Sequence, residues 1–515
     1  MAPSLDILGL LSLGICVVAL AQWSISRRVR YPPGPYFALL KIAAAREEAQ
    51  ELFMRWGRTY GDIIHIPVIN RSMIVLNSLT AVRDLMEKRS GNYSCRPRLV
   101  LIAELMGWDT VLTNLPYGDQ FRKQRRIVQD HFNSQAVVAL RPLQRKETCT
   151  FLLGILNKPE AFEREIKRYF TAGSIMKIAY GHTVTSNDDL YVRLAEDATT
   201  ATVASAGGPG AMLVDFFVLR HIPTWMPGAG FKRHALQTRA KVERLMDRPF
   251  QMVKQSMVSG TAIPSFTSSL LVEYQSAGKC GMKEEGDIKS AAGVLYAAAT
   301  DTTTAILAAF FLAWTLYPEP FAKAQAELDS VIGSDRLPDF EDRPSLSFLD
   351  CIIKEMYRWS APVPLGLPHR SMKDDVYRGY DIPAGTIVLA NIWALSRDPT
   401  LFTQPHDFCP ERYLNLDEET ADLMDPNMIF GFGRRRVLAC PGRWFGDGNI
   451  WLIIASTLAT FNVEKARDAN GKEITPPAAF AGSFVRHPKP FHCAIKPRSL
   501  KAADLIHETN ASLAA

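Results

Sequence analysis

The residue with the most distinctive chemical setting is Cys440, which follows a glycine- and arginine-rich run at 430–436. An apolar run with helical spacing, 444–458, begins shortly after it. A cysteine just before a helix N-terminus receives the positive end of the helix dipole and backbone N–H groups, which favour the thiolate. Glycines let a backbone approach a flat ligand closely, and arginines pair with carboxylates. The pattern predicts a thiolate ligand for a metal cofactor that carries acidic groups, whereas a single cysteine considered alone is a small buried apolar side chain.

The cysteines as a set do not form a disulfide pattern. There are eight in 515 residues; they are scattered, and none belongs to a C-x-x-C pair. Disulfide frameworks concentrate cysteines in short secreted chains. We therefore expect a reducing compartment and mostly inert, buried thiols, with Cys440 as the exception.

A second chemical feature is the threonine cluster at 300–304, where four of five residues are threonine and the fifth is Asp301. The cluster lies within a predicted helix, 288–317, that is ~45 Å long at the standard rise and ends before Pro318. Threonines are poor helix formers, and their hydroxyls can bond to the carbonyl four residues earlier and locally open the helix. The alternative is a core helix with incidental threonines.

The elements that must position these residues are mostly helical. Hydrophobic residues make up 47% and charged residues 22%, which excludes a mainly disordered chain, a collagen-like repeat and a polytopic membrane protein. The net charge of +6 is too small to argue for nucleic acid. We predict one large domain over 37–515, mainly α with small β-sheets. Helical spacing occurs at 45–56, 80–87, 119–132, 136–156, 288–317 and 319–332, and strand-like runs occur at 63–66, 73–76 and 386–390.

The N-terminal segment 1–30 is predicted to anchor the chain in a membrane. Residues 7–25 carry no charge and would span ~28 Å as a helix, about the hydrocarbon thickness of a bilayer. Arginines follow at positions 27, 28 and 30, which places the remainder of the chain in the cytosol. The alternative, a cleaved secretory signal, normally has its positive charge before the apolar core. A proline-rich hinge, 31–36, follows.

The segment 221–228 is the second candidate for membrane contact. It is apolar and turn-rich, contains Trp225, and is followed by Lys232 and Arg233. A tryptophan beside basic residues suits a membrane interface. The alternative is a surface loop that packs on its own domain. The sequons at Asn70, Asn92 and Asn510 stay unmodified if the domain is cytosolic.

Five motifs in one order resemble those of the cytochrome P450 family, and specifically its fungal microsomal members that serve secondary metabolism, of the O-methylsterigmatocystin oxidoreductase type. The Cys440 loop is similar to F-x-x-G-x-R-x-C-x-G, and Glu355 to Arg358 is similar to E-x-x-R. Residues 408–413 resemble F-x-P-E-R, and 298–303 resemble [AG]-G-x-[DE]-T-[ST]. Residues 117–125 resemble the W-x-x-x-R helix, with Phe121 in place of the tryptophan.

The resemblance implies a cytochrome P450 fold and a haem b group whose iron is ligated by the Cys440 thiolate. By the same resemblance, the propionates are held by Arg125, by the His369-Arg370 pair and by Arg435. Asp301 relays protons, and Thr302 hydrogen-bonds the iron-bound peroxide. Glu355, Arg358 and Arg412 form a buried structural triad behind the haem.

One departure from the family pattern concerns the loop itself. Cys440 lies three residues later than the family position, which Val437 occupies here. Three extended residues span up to ~10 Å, so we expect residues 436–439 to bulge while Cys440 keeps its place before the helix. The alternative is a gene-model error that retained a short segment. Either way, the role of Arg435 is in question.

The implied reaction is monooxygenation of a small apolar substrate, of terpenoid or aromatic polyketide type, at the endoplasmic reticulum membrane. The chain has no flavin or nicotinamide fingerprint, so an external electron donor is required. The resemblance implies that this donor is NADPH–cytochrome reductase, which passes electrons from NADPH through its flavins, with cytochrome b5 as a further donor. Two alternatives remain: a reductase-independent isomerase or dehydratase, and a catalytically impaired haem-binding chain. The candidate docking face is Arg122, Lys123, Arg126, Arg434 and Arg443; the candidate pocket segments are 101–113, 204–217, 294–300, 363–367 and 480–484.

Overall fold

Helices account for most of the fold in the computed structural model, which describes residues 29–45, 47–68, 71–167, 173–184, 189–206, 219–279, 281–433, 440–482 and 484–514. The α-helices are α1 (Ala38–Ala44), α2 (Ala49–Tyr60), α3 (Leu79–Val82), α4 (Ser90–Tyr93), α5 (Asp119–Phe132), α6 (Arg141–Asn157), α7 (Phe162–Lys167), α8 (Ile175–Tyr180), α9 (Leu190–Ala206), α10 (Gly230–Val258), α11 (Phe266–Ser276), α12 (Met282–Leu316), α13 (Pro318–Val331), α14 (Ser347–Ser360), α15 (Ile392–Leu395), α16 (Glu418–Leu423), α17 (Arg443–Thr460) and α18 (Leu500–Ala514).

The strands are short and form four small sheets. The largest has the order β1-β2-β6-β3, in which β2 pairs parallel with β6 and the other neighbours are antiparallel. A three-stranded sheet has the order β11-β7-β8, and two hairpins pair β4 with β5 and β9 with β10. The strands are β1 (Ile63–Val68), β2 (Arg71–Leu76), β3 (His369–Arg370), β4 (Asp375–Tyr377), β5 (Tyr380–Ile382), β6 (Ile387–Ala390), β7 (Phe461–Arg467), β8 (Glu473–Ile474), β9 (Phe480–Ala481), β10 (His487–Pro488) and β11 (Cys493–Pro497). The prediction of a mainly α domain with small sheets is confirmed.

The long helix α12 crosses the core. It packs against α5, α8, α10, α11, α13, α14 and α17. Nearly all of its side chains from 287 to 315 are buried, except for the window 297–302, which is partly open. Within the described part of the chain, α12 is the one helix long and apolar enough to cross a membrane, and its burial makes it a core helix. The predicted anchor at 7–25 lies outside the described residues.

The observed helices match the predicted helical spacing to different degrees. Helix α5 has the predicted bounds. The predicted helix 136–156 is divided into a 3₁₀ turn, Ala136–Leu140, and α6, which has Pro142 in its first turn. Proline lacks the N–H that would continue the helical ladder. The region predicted as a helix at 80–87 begins as α3 and continues as a π-helix, Arg83–Lys88.

The proline-rich segment 31–36 lies against β1. Tyr31 stacks on His65, with ring centroids 4.2 Å apart and an interplanar angle of 3°. The backbone N–H of His65 donates to the carbonyl of Pro33 at 3.0 Å. A Cβ on Gly34 would clash with the carbonyl oxygen of His65, so glycine allows this close approach. The segment 31–36 is therefore packed against strand β1.

Candidate active site

Cys440 lies directly before α17, as predicted. Gly442 is the N-cap of that helix, and its backbone N–H hydrogen-bonds the Cys440 thiol. The backbone N–H of Arg443 donates to the Cys440 carbonyl at 3.2 Å. Residue 440 retains accessible surface, yet protein surrounds its thiol closely enough that burial dominates its pKa.

The electrostatics at Cys440 differ from the simple prediction. Burial raises the pKa of the thiol, while the Gly442 N–H and the guanidinium groups of Arg125 and Arg443 act to lower it. The helix terminus and the arginines therefore favour the thiolate, but in the protein alone burial outweighs them. A coordinating metal deprotonates a thiol outright. The sulfur is thus placed where a metal bond would supply the missing stabilisation of its charge.

The partner of Cys440 on the neighbouring helix is Arg125, near the middle of α5. Its side chain is 5% exposed. Burial lowers the pKa of Arg125 to about 10, and the negative charge at Cys440 opposes that effect. A buried cation needs anionic partners. A ligand that brings carboxylates into the space beside Cys440 would fit this residue.

The glycines before Cys440 allow the close approach that the sequence predicts. Gly431 and Gly433 have φ values of 99° and 87°, in the region that favours glycine. A Cβ on Gly433 would clash with the carbonyl oxygen of Met86. The loop is therefore pressed against the π-helix that contains Met86. Arg434, Arg435 and the inserted residues Val437 to Ala439 lie outside the described residues, so their predicted roles stay predictions.

The His369-Arg370 pair forms β3 and ties this strand to the segment after α4. Nδ1 of His369 donates to the Tyr93 carbonyl at 2.6 Å. Nη2 of Arg370 donates to the Cys95 thiol at 3.3 Å, and its buried Nε has no hydrogen-bond partner among the described residues. The Arg370 donor is the group of this pair that fits an additional anion. Its contact with a propionate remains a prediction.

The open window of α12 contains the predicted oxygen-handling residues. The hydroxyl of Thr300 donates to the Tyr296 carbonyl at 2.8 Å, and that of Thr302 donates to the Ala298 carbonyl at 3.0 Å. The predicted bonding to the carbonyl four residues earlier is therefore present. The helix nevertheless stays α-helical throughout its length. The window is therefore open because its side chains are partly exposed, while the helical backbone continues through it.

Asp301 has a partner that the sequence analysis did not predict. Its Oδ1 lies 2.9 Å from Nε2 of His487, on strand β10. No local pattern connects two residues that are 186 positions apart.

Glu355, Arg358 and Arg412 lie together in the interior of the protein. Arg358 donates to both oxygens of Glu355, at 2.6 and 2.7 Å, and both side chains are 0% exposed. Nε of Arg412 donates to Glu355 at 3.2 Å. Arg358 also donates to the carbonyls of Ser396, Pro405 and Asp407. The cluster therefore joins α14 to the segment 396–412.

The predicted basic docking face is partly engaged by neighbouring acids. Lys123 pairs with Glu284 at 3.1 Å and with the buried Asp287 at 2.9 Å. Arg122 pairs with Asp119. These side chains are therefore less available to an acidic partner than the sequence suggests.

The predicted pocket segments are apolar and partly open where they are described. Partly exposed apolar side chains occur in four of them, and 207–217 lies outside the described residues. They include Ile102, Leu105, Ala297, Ala299, Val363, Leu365, Leu367, Phe480 and Phe484.

Comparisons with known proteins agree with this geometry. The family profile described as Cytochrome P450 matches residues 30–495. Cytochrome P450 monooxygenase 176 of Postia placenta is 42% identical over 496 residues, covering 95% of this chain and 94% of that protein. Cytochrome P450 monooxygenase claR of Ampulloclitocybe clavipes is 41% identical, covering 96% and 91%. Cytochrome P450 monooxygenase ple1 of Rhodocybe pseudopiperita is 37% identical, covering 98% of each chain.

Proposed function

The chain belongs to the cytochrome P450 family of monooxygenases, and from that premise we propose that it binds haem b through the Cys440 thiolate and oxidises a small apolar substrate of secondary metabolism. The observation that carries the proposal is the Cys440 sulfur directly before α17, which accepts the Gly442 N–H and interacts electrostatically with the Arg125 guanidinium. Haem bound there would supply a redox-active iron, and the electron density donated by the Cys440 thiolate would favour O–O cleavage.

The arginines of the proposed site suit the propionates of such a group. The buried Arg125 suits a propionate because a carboxylate would offset the cost of burying its charge. Arg370 offers a further guanidinium on β3, and Arg435 is a further candidate for the same role. Gly433 leaves no room for a side chain between the loop and Met86, which keeps the loop close to the domain.

Asp301 and Thr302 are proposed to deliver protons at the haem site. Both lie in the open window of α12. The Thr302 hydroxyl hydrogen is held by the Ala298 carbonyl, which leaves the oxygen lone pairs free to accept a hydrogen bond from a ligand. The Asp301 carboxylate can take a proton from solvent and pass it on along the open window of α12. Glu355, Arg358 and Arg412 act as structure: they hold α14 and the segment 396–412 together.

The substrate is proposed to be apolar, of terpenoid or aromatic polyketide type. Supporting it are the partly exposed apolar side chains of the candidate pocket segments, such as Ile102, Val363 and Phe480. Electrons are proposed to come from NADPH through the flavins of NADPH–cytochrome reductase, with cytochrome b5 as a further donor. Arg126 and Arg443 remain candidates for that docking face.

We place the chain at the endoplasmic reticulum membrane, anchored by residues 7–25 with the domain in the cytosol. Exposed apolar side chains near the N-terminal end of the domain, Tyr36 and Phe37, support contact with lipid. Trp225 is 79% exposed, which favours the membrane-interface interpretation of 221–228 over packing on the domain.

The experiment that tests the proposal is the carbon monoxide difference spectrum of the reduced, purified protein. Thiolate ligation predicts a red-shifted Soret band, and Cys440→Ala is expected to lose it. A haem-loaded protein without that band would support the catalytically impaired alternative. Turnover of a peroxide substrate without NADPH would favour the isomerase or dehydratase alternative.

A further inference from the structure

The Asp301 carboxylate is held by an imidazole from a distant part of the chain. Nε2 of His487 lies 2.9 Å from Oδ1 of Asp301, and the two side chains are 32% and 36% exposed. The pair lies at the open window of α12, between stretches of the same helix that are buried. Strand β10 packs against α12, so this contact joins the C-terminal hairpin to the centre of the proposed site.

The strand that carries His487 is itself firmly placed. Arg486, its neighbour, is 5% exposed and lies with its guanidinium carbon 4.0 Å from the Trp393 ring centroid and 5.2 Å from that of Phe480. The backbone N–H of Arg486 donates to the Pro362 carbonyl at 2.8 Å. His487 therefore reaches Asp301 from a strand that is held in place by the ring contacts and the backbone hydrogen bond of Arg486.

A carboxylate that moves protons must have its oxygens in a defined orientation, because proton transfer requires donor and acceptor within hydrogen-bond reach. An Nε2–H donated to Oδ1 restricts rotation of the Asp301 carboxylate and leaves Oδ2 for a second partner. An exposed ion pair contributes little to stability. The main effect of this contact is therefore to fix the orientation of the Asp301 carboxylate.

We propose that His487 is a positioning residue that orients the Asp301 carboxylate for proton delivery along α12. The inference rests on the proposed function. It also connects that carboxylate to the candidate pocket, because His487 pairs with Ala481 and Pro488 pairs with Phe480 in the β9–β10 hairpin. A substrate that contacts Phe480 would therefore contact the hairpin that carries His487, the partner of Asp301.

The chain offers a matched control in the pair His182 and Asp189. Its Nε2–Oδ2 distance is 2.7 Å, and its side chains are also partly exposed. His182 lies in a surface groove with Gly181 and Met252, and that groove contains no residue of the window 297–302. A general effect of losing a histidine–aspartate contact would appear in both pairs, whereas a positioning effect would appear only at His487.

The first test measures how electrons from NADPH are partitioned between hydrogen peroxide and water in the full-length holoenzyme with reductase and dioxygen. A mispositioned carboxylate delivers protons poorly, so His487→Phe is expected to raise the peroxide share about twofold or more. His487→Gln, which keeps an N–H donor, is expected to stay near the wild-type share, as is His182→Gln. His487→Phe in an Asp301→Asn background is expected to add no further change. A wild-type share in His487→Phe, or a full additional effect in the Asp301→Asn background, would overturn the inference.

The second test does not depend on turnover. Ring ¹⁵N resonances of selectively labelled histidine are recorded in the carbon monoxide-bound reduced protein, and His487→Gln identifies the His487 signals. Asp301→Asn is expected to move the Nε2 resonance of His487 and not that of His182, and Asp189→Asn is expected to do the reverse. If His487 does not respond to Asp301→Asn, the inference fails even if the Soret band confirms thiolate ligation. If the band is absent while His487 responds, the proposed function fails and the pairing stands.

Discussion

The guanidinium of Arg125 faces the thiol of Cys440 across the space between α5 and the loop before α17, and each alters the pKa of the other. Two residues more than 300 positions apart thus bring together a buried cation and an ionisable sulfur. A group with a central metal and peripheral carboxylates would satisfy both. This pairing leads to the first prediction.

Replacing Arg125 with glutamine is expected to weaken haem retention. A hydrogen bond to a charged group contributes roughly 1.5–3 kcal/mol, so about a tenfold or larger increase in the rate of haem loss is expected. The measurement is haem transfer to an excess of a haem-scavenging protein, followed by absorbance. Arg122→Gln, on the exposed side of the same helix, is the control and should retain haem like the wild type. Equal retention by both variants would contradict the proposed role of Arg125.

Breaking the buried pair of Glu355 and Arg358 is expected to destabilise the whole fold. Removing one partner of a buried pair leaves an uncompensated charge and costs about 3–5 kcal/mol. Arg358→Leu should therefore express poorly or unfold at much lower denaturant concentration. The exposed pair of Arg239 and Glu243, also on one helix, is the control, and Arg239→Leu should cost no more than about 1 kcal/mol. Similar midpoints for both variants would contradict the structural role.

Gly433→Ala is expected to disturb the loop before Cys440 more than a matched glycine substitution elsewhere. Both Gly433 and Gly471 have positive φ, 87° and 80°, but only Gly433 has a backbone oxygen where the new Cβ would lie. Backbone strain alone costs about 1 kcal/mol at either position. The Met86 clash should add to this at Gly433 and lower the haem content of the purified protein. The check is the haem-to-protein ratio together with the denaturation midpoint of the two variants.

His65 is expected to make stability depend on pH. Burial lowers its pKa to about 4, from an ordinary value of 6.5. The unfolded chain therefore binds more protons than the folded protein between these values, so stability is present above pH 6.5 and is lost as the pH falls towards 4. Between pH 7 and pH 5 this group alone should remove about 2 kcal/mol of stability.

The His65 prediction is measured by denaturant unfolding at the two pH values. His65→Phe keeps a ring to stack on Tyr31 but does not titrate. The loss of stability between pH 7 and pH 5 should be smaller in His65→Phe than in the wild type by about that amount. Identical losses would show that His65 does not carry this dependence.

Local chemistry explains which parts of the site were predictable. The placement of Cys440 before α17, the bounds of α5 and the threonine hydrogen bonds of α12 follow from spacing and helix geometry along a short stretch of sequence. Motif resemblance supplied both partners of Glu355: Arg358, three residues away on the same helix, and Arg412, which is distant in sequence.

Contacts that depend on tertiary packing were not predictable in this way. His487 reaches Asp301 only because β10 packs on α12. The engagement of Lys123 by Asp287 likewise requires α5 and α12 to lie side by side. The balance of effects on the Cys440 pKa also depends on burial, which the helix-terminus argument does not contain.

The most direct test of the central claim is the carbon monoxide difference spectrum of the reduced protein beside that of Cys440→Ala. The account predicts a red-shifted Soret band in the wild type and its loss in the variant. A matched substitution, Cys149→Ala, changes a buried cysteine on α6 that the account gives no role in haem binding and should keep the band. A band that persists in Cys440→Ala would show that another residue ligates the iron, and would contradict the account.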